Sequence, residues 1–222
     1  LGHETEIFNF FNQNNISFKF NPVIPFENVK NNSKLVLNET KYADFMINIF
    51  KAIISNNITY INIEPISSII KNVIYKSPNH ECTYSGNCGK NFICLNYDGK
   101  IYTCSQFSSI KKFAYHSVDN DFKYSKLCLS KNYEAITNKK LNKDCIQCKY
   151  IAYCNGGCPF ISYAYTGSIH SKNPFCKDII KFIDYLKKDG LILYKNYILK
   201  EKNKIMERIK NNVEKLKILE EI

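Results

Sequence analysis

The sequence predicts an α/β fold, followed by a small cysteine-rich α+β region with a β-hairpin and then a charged C-terminal helix. Three observations predict it. Helical and strand periodicities alternate over residues 1–76, the pattern of parallel strands joined by helices. All ten cysteines fall between Cys82 and Cys176. Residues 189–222 mix lysine and glutamate with apolar residues at helical spacing.

The first helix is expected over residues 4–13, where Ile7, Phe10 and Phe11 fall at i, i+3 and i+4 before Asn14-Asn15 stops it. "ISFKFNPVIP" alternates Ile16, Phe18 and Phe20, a strand closed by prolines. Thr40 is a candidate N-cap for a second helix with Tyr42, Phe45, Met46, Ile49 and Ile53 on its inner face. "ITYINI" at 58–63 reads as a second strand. Pro65 then opens a third helix carrying Ile66, Ile69, Ile70 and Val73. Two strands do not make a stable sheet. Residues 1–77 therefore read as part of a larger α/β unit, and the missing initiator Met suits a fragment of something longer.

In the second region, "NFICLNYDGKIYTC" places two β-rich runs around Asp98-Gly99, a pair favoured in type I′ hairpin turns. Residues 105–144 are mixed and polar, with a helix expected near 131–140. "PFISYAYTG" reads as a short helix ended by Gly167. "NPFCKDIIKFIDYLKKDG" reads as a helix with Asn173 as cap, Pro174 first and Gly190 last. In the final helix Ile198, Ile205, Ile209, Val213 and Leu216 are expected inside. The heptad is not kept, so a packing helix is expected rather than a coiled coil.

Composition narrows the function. Ten cysteines in 222 residues are too few for a small disulfide scaffold. No apolar run approaches the ~18 residues of a membrane span, and the N-terminus has neither the basic start nor the small-residue cleavage site of a signal peptide. A cytoplasmic setting without a membrane partner is expected, and there clustered cysteines hold metal more often than they form disulfides. The formal charge is +11, yet the 31 basic residues include a single arginine, Arg208. A base-reading surface relies on the planar fork of arginine, so no nucleic-acid partner is expected.

"CIQCKYIAYCNGGCPF" spaces Cys145, Cys148, Cys154 and Cys158 as C-x2-C-x5-C-x3-C. Cys82, Cys88, Cys104 and Cys176 lie on either side. Four thiolates close one metal site and eight close two, and both zinc and iron–sulfur centres accept such sets. Cys94 and Cys128 each sit between apolar neighbours and are expected to be buried structural thiols. His3, His80, His116 and His170 have no ligand-like spacing.

This pattern resembles the SPASM extension of radical S-adenosylmethionine (SAM) enzymes, which runs C-x9–15-G-x4-C, gap, C-x2-C-x5-C-x3-C, gap, C. Cys88, Gly99 and Cys104 match its first half. Cys145, Cys148, Cys154, Cys158 and Cys176 match its second, so the resemblance covers roughly residues 78–188. It implies that residues 1–77 are the C-terminal portion of a partial (β/α) TIM-like barrel, 78–188 a SPASM domain, and 189–222 a C-terminal amphipathic helix. It implies two auxiliary 4Fe–4S clusters, the first on Cys82, Cys88, Cys104 and Cys158 and the second on Cys145, Cys148, Cys154 and Cys176. Gly156 and Gly157 would form the loop between ligands.

The resemblance further implies a full-length enzyme with a third 4Fe–4S cluster and SAM. It also implies a peptide or protein substrate, an N-terminal barrel half, and a reductant such as flavodoxin or ferredoxin. The SAM-cleaving signature C-x3-C-x2-C does not occur in this sequence. Sulfatase-maturing members of the family carry an acidic residue directly after the hairpin cysteine and tend to carry an arginine after the last clustered cysteine. Ser105 and Pro159 stand there in this chain. These departures favour another peptide-modifying branch, such as maturases that crosslink small ribosomal peptides. Sulfatase maturation and a non-enzymatic electron-transfer or adaptor protein are the alternatives. The sequence singles out no catalytic residue.

Overall fold

A computed structural model of the chain describes residues 2–26, 33–37, 41–56, 62–78, 82–91, 93–118 and 122–220. Helix α1 (Glu4–Gln13), strand β1 (Phe18–Lys19), helix α2 (Lys41–Asn56), strand β2 (Ile63–Glu64) and helix α3 (Ile66–Tyr75) follow one another in the expected alternation. β1 and β2 pair in parallel, Phe18 opposite Ile63 and Lys19 opposite Glu64. The strands are only two or three residues long throughout, so the described residues are mostly helical. Thr40 and most of the expected strand at 58–63 lie outside the described residues.

The buried face of α1 differs from expectation. Phe8 is fully buried, whereas Ile7 and Phe10 are 37% and 60% exposed. Two neighbouring stripes of this helix have apolar spacing, and packing against α2 selects the one through Phe8 and Phe11. Phe11 then stacks on Phe18 with ring centroids 4.3 Å apart. In α2, Tyr42, Met46, Ile49 and Phe50 are buried, with Phe45 and Ile53 half-buried beside them. Ile66, Ile69, Ile70 and Val73 of α3 are buried as the periodicity predicts.

The second region opens with a 3-10 turn at Cys82–Tyr84. Strands β3 (Cys94–Leu95), β4 (Lys100–Tyr102) and β5 (His116–Ser117) form an antiparallel sheet in that order. The hairpin is present, but its turn is not type I′. That type needs positive φ at both central residues, and within the loop only Gly99 has it. Gly99 N–H donates to Asn96 O at 3.0 Å and Asn96 N–H to Lys100 O at 2.9 Å. This is a three-residue loop closing on a glycine bulge. Strand β5 carries no strong alternation and was not legible in the sequence.

Short helices follow: α4 (Ser105–Ser108), α5 (Tyr124–Cys128), α6 (Lys131–Thr137), α7 (Lys143–Ile146), α8 (Ile151–Cys154) and α9 (Pro159–Thr166). Helix α6 falls within the expected 131–140, and Gly167 at φ +78° ends α9 as predicted. Cys128 is exposed at the end of α5 and Cys94 is half-buried on an edge strand, so neither is the buried thiol that its neighbours suggested. A helix end and a sheet edge bury apolar neighbours on one side only.

Helix α10 (Cys176–Tyr185) begins two residues later than Pro174, with the Asn173 side chain accepting the Phe175 N–H at 2.8 Å. Gly190 does not end it. The chain passes through a π-helical segment, Leu186–Gly190, into helix α11 (Leu191–Glu220). Gly190 is buried there, with Leu186 Cδ2 2.9 Å from where a β-carbon would stand, and its role is close packing rather than termination. In α11 Tyr197 is buried while Ile198 is 45% exposed, the reverse of the expected face, because Tyr194 and Leu191 set the stripe that reaches the core. The side chains of Ile205, Ile209, Val213 and Leu216 lie outside the described residues. No helix of the described residues is long and apolar enough to cross a membrane.

Two cores result. One joins Phe8, the inner faces of α2 and α3, and Phe182, Ile183 and Leu186 beyond the cysteine region. The other gathers Ile101, Tyr102, Phe107, Leu127, Ile136 and Phe160. Asp178 ties α10 to α2: its carboxylate is fully buried and accepts the Ala43 N–H at 2.8 Å. That N–H belongs to the first turn of α2, where no helical carbonyl is available and the helix dipole favours a negative partner.

Candidate metal centre

The cysteines occupy turns and helix starts. Cys82 opens the 3-10 turn, Cys104 precedes α4, Cys158 precedes α9 and Cys176 opens α10. A helix start presents backbone N–H groups that lack helical partners. Here several turn to sulfur. Phe160 and Ile161 donate to Cys158, Gln106 and Phe107 to Cys104, and Gly156 to Cys154.

The thiols are sorted into two neighbourhoods. Cys88 has the thiols of Cys158, Cys104 and Cys82 as its electrostatic neighbours. Cys154 has Cys176, Cys145 and Cys148. Cys145, Cys148, Cys154 and Cys176 also line one cavity of about 60 Å³, together with Gly156, Gly157, Tyr84 and Ile179. Cys82 and Cys88 open onto a second cavity of about 300 Å³, which Lys139 and Gly157 also line. The strand of chain from Asn155 to Cys158 is the wall between them.

Gly156 and Gly157 have reasons in the geometry beyond a plain loop. Both have φ near +73°, which disfavours any side chain. A β-carbon on Gly157 would stand 2.2 Å from Asn173 Nδ2, and one on Gly156 would stand 2.9 Å from Leu141 Cδ2 and 3.9 Å from Cys145 Sγ. The wall is thin because nothing but backbone fits in it.

Burial dominates the acidity of these thiols. It pushes Cys154 and Cys158 from 9.0 up to about 11, against the N–H donors that pull the other way. Cys88 is pushed higher still by burial and by its three thiol neighbours. Cys104, Cys145 and Cys176 are also raised, burial first. The bare sites therefore hold neutral thiols, and a positively charged core that takes thiolates must displace their protons.

The donor set fits iron–sulfur clusters. Each neighbourhood offers four thiols, backbone N–H groups already aimed at sulfur, and glycine where an inorganic core would approach the backbone. Among the described residues, no three Cys, His, Asp or Glu side chains lie close enough together to hold a single metal ion. Thiolates on one zinc ion stand roughly 3.8 Å apart, given Zn–S bonds of about 2.3 Å. A multi-iron core separates its ligands further.

Two residues that matter here were not picked out by sequence. Lys139 donates from Nζ to Gly157 O at 3.1 Å, and nothing in its sequence context marks it. Asp178 does carry a signal: it shares one helical face with Ile179, Phe182 and Ile183, and an acid on a buried stripe needs a partner. Of the four histidines, His3, His116 and His170 line neither cavity, and His80 lies outside the described residues.

By sequence and fold the chain resembles the C-terminal half of a radical SAM enzyme of the SPASM class. The particular relatives are anaerobic sulfatase-maturating enzymes. The cysteine-type enzyme of Clostridium perfringens strain 13 is 22% identical over 188 residues, covering 82% of this chain and 50% of the relative. The corresponding enzyme of a second strain is 21% identical over 82% of this chain and 50% of its own length. The solved structure of native anSMEcpe with bound AdoMet superposes with a TM-score of 0.70 at 19% identity, over 87% of this chain and 53% of that one. Native anSMEcpe with bound AdoMet and Kp18Cys peptide gives 0.68 at 18% identity, over 87% and 54%. The chain thus spans about half the length of the curated relatives it matches. No family model matches it.

Proposed function

We propose that this chain is the auxiliary-cluster portion of a radical SAM enzyme that modifies peptide or protein side chains. The observation that carries the reading is the sorting of eight cysteines into two adjoining groups of four, with Cys158 leaving its own tight run to join Cys82, Cys88 and Cys104. Residues 1–77 are read as the last part of a partial barrel, 78–188 as the SPASM domain and 189–222 as a trailing helix. Two bound 4Fe–4S clusters supply one-electron transfer or a platform for the substrate.

The chain's own groups prepare these sites. Eight thiolates hold the metal, and the N–H groups of Gly156, Phe160, Ile161, Gln106 and Phe107 stabilise charge on sulfur. Tyr84 and Ile179, both buried, line the smaller cavity with apolar surface. The peptide bound to anSMEcpe supports a peptide as the substrate class. Ser105 is exposed at the start of α4, where the sulfatase-maturing pattern has an acid, and Pro159 is buried at the first position of α9. Both favour a side-chain modification other than formylglycine formation. SAM, a third cluster and a reductant such as flavodoxin or ferredoxin belong to the full-length enzyme, in the cytoplasm.

Anaerobic reconstitution tests the reading. The chain is expected to turn brown and to bind about eight irons and eight sulfides, four of each per cluster. A colourless protein with two tightly held zinc ions overturns it.

A further inference from the structure

Lys139 lies between the two thiol groups. It follows α6, and its ammonium reaches the backbone wall, donating to Gly157 O at 3.1 Å. From the point where a β-carbon of Gly156 would stand, Lys139 Nζ is 3.8 Å away and Cys145 Sγ 3.9 Å. The same lysine lines the cavity onto which Cys82 and Cys88 open. The thiols that act on its charge are Cys158 and Cys88 from one group and Cys145 and Cys154 from the other.

The charge is half-buried and poorly balanced. Among the described residues no carboxylate pairs with Lys139. Burial lowers its affinity for a proton, and the thiols around it act to restore it. Lys172, the other lysine near the second group, is different: it is 49% exposed and its charge is offset by Asp144 at 3.6 Å. A cation facing four potential thiolates from the two groups, without a carboxylate of its own, calls for a counter-charge that the protein does not provide. Clusters held by four thiolates each carry net negative charge and become more negative on reduction.

We propose that the Lys139 ammonium, pinned on Gly157 O in the wall between the groups, is a positioning residue shared by both clusters, whose charge favours their reduced states. The inference rests on the two-cluster reading above. A single fixed cation seen by both sites makes the two potentials move together, so the pair accepts an electron more readily than either site would with a neutral wall.

The test uses the reconstituted 222-residue chain and three variants: Lys139→Met, Lys139→Gln and Lys139→Arg. Iron and sulfide are counted, and both clusters are titrated potentiometrically with detection by electron paramagnetic resonance. Lys139→Met is expected to keep its iron and to lose about tenfold in the reduction equilibrium of each cluster, a shift of about 59 mV to more negative potential for a one-electron step. Lys139→Arg is expected to restore both potentials. Full iron with unchanged potentials in Lys139→Met overturns the inference, and so does a shift confined to one cluster. Should Lys139→Met not load, Lys139→Gln keeps a donor for Gly157 O without the charge. Iron loss in Met and Gln with retention in Arg supports a need for the charge, and loss in all three overturns it. If the unmodified chain assembles no cluster, the two-cluster reading fails first and this inference falls with it.

Discussion

The two thiol groups are built by opposite means. Cys145, Cys148 and Cys154 come from ten consecutive residues, and only Cys176 is brought from elsewhere. They enclose a small cavity of about 60 Å³. Cys82, Cys88, Cys104 and Cys158 come from a 3-10 turn, a loop, the residue before α4 and the residue before α9, and their surroundings are more open, with Cys82 exposed and an adjoining cavity of about 300 Å³. Their supports differ too. The second group depends on α10, whose other face packs on α2 and whose Asp178 caps that helix. The first group depends on the hairpin sheet and the core around Phe107 and Phe160. The contrast shows how one chain can hold two sites side by side and still tie each to a different core. Cys158 and the glycine wall are where the two constructions meet.

The largest expected effect separates the groups directly. Cys104→Ala and Cys148→Ala should each remove one cluster, lowering iron from about eight to about four per chain, with the remaining signal assigned to the other group. Cys94→Ser and Cys128→Ser should leave the iron count unchanged, since neither thiol belongs to either set. A loss of all iron from Cys104→Ala alone would mean that the second group cannot stand without the first.

Core truncation asks whether the supports are as separate as they look. Phe182 and Phe107 are both fully buried, and replacing either by Ala should cost about 3–5 kcal/mol in urea unfolding of the loaded chain. Phe182→Ala is expected to release iron first from the second group, because Cys176 opens the same helix. Phe107→Ala should release it first from the first group. Equal release from both sites in each variant would erase the distinction.

The wall between the groups is more forgiving. Gly157→Ala places a β-carbon 2.2 Å from Asn173 Nδ2 at a φ of +73°, with an expected cost of roughly 1–3 kcal/mol. The clash involves a side chain, so Asn173→Ala should recover part of the loss. The double variant is then expected to be less destabilised than the two single losses added together, read by thermal unfolding in a double-mutant cycle. Strict additivity would show that the backbone conformation, not Asn173, is what demands glycine.

The smallest effect concerns pH and the cluster-free chain. Cys154 and Cys158 have folded values raised from 9.0 to about 11 by burial. A raised folded value contributes stability that is complete below the unfolded value and lost as pH climbs through the folded one. The cluster-free chain should therefore lose stability between about pH 9 and pH 11, more than the loaded chain, in which those sulfurs are already ionised. Equal pH dependence in the two forms would show that these thiols do not titrate with folding.

Much of this was legible in the sequence. The alternation of helix and strand over residues 1–76, the inner face of α3 and the hairpin at Asp98-Gly99 follow from local periodicity and turn chemistry; the cysteines stood out by their spacing, while their division into two sets was implied only by the family resemblance. What the sequence could not decide is which of two adjacent stripes turns inward. In α1 and α11 both choices satisfy a 3.6-residue period, and only the neighbouring helix selects Phe8 over Ile7, or Tyr197 over Ile198. Gly190 reads as a stop signal, yet the chain continues through a π-helical turn there, because Gly190 does not take the left-handed conformation that ends a helix and instead packs closely against Leu186. The pairing of Asp178 with Ala43 spans 135 residues, and the reach of Lys139 to Gly157 joins two loops that share no local pattern. Spacing along the chain determined which cysteines were candidate ligands; the position of a lone charge relative to them was decided only when distant backbone came within hydrogen-bond distance, because electrostatic and hydrogen-bond partners are chosen by separation in space and leave no period in the sequence.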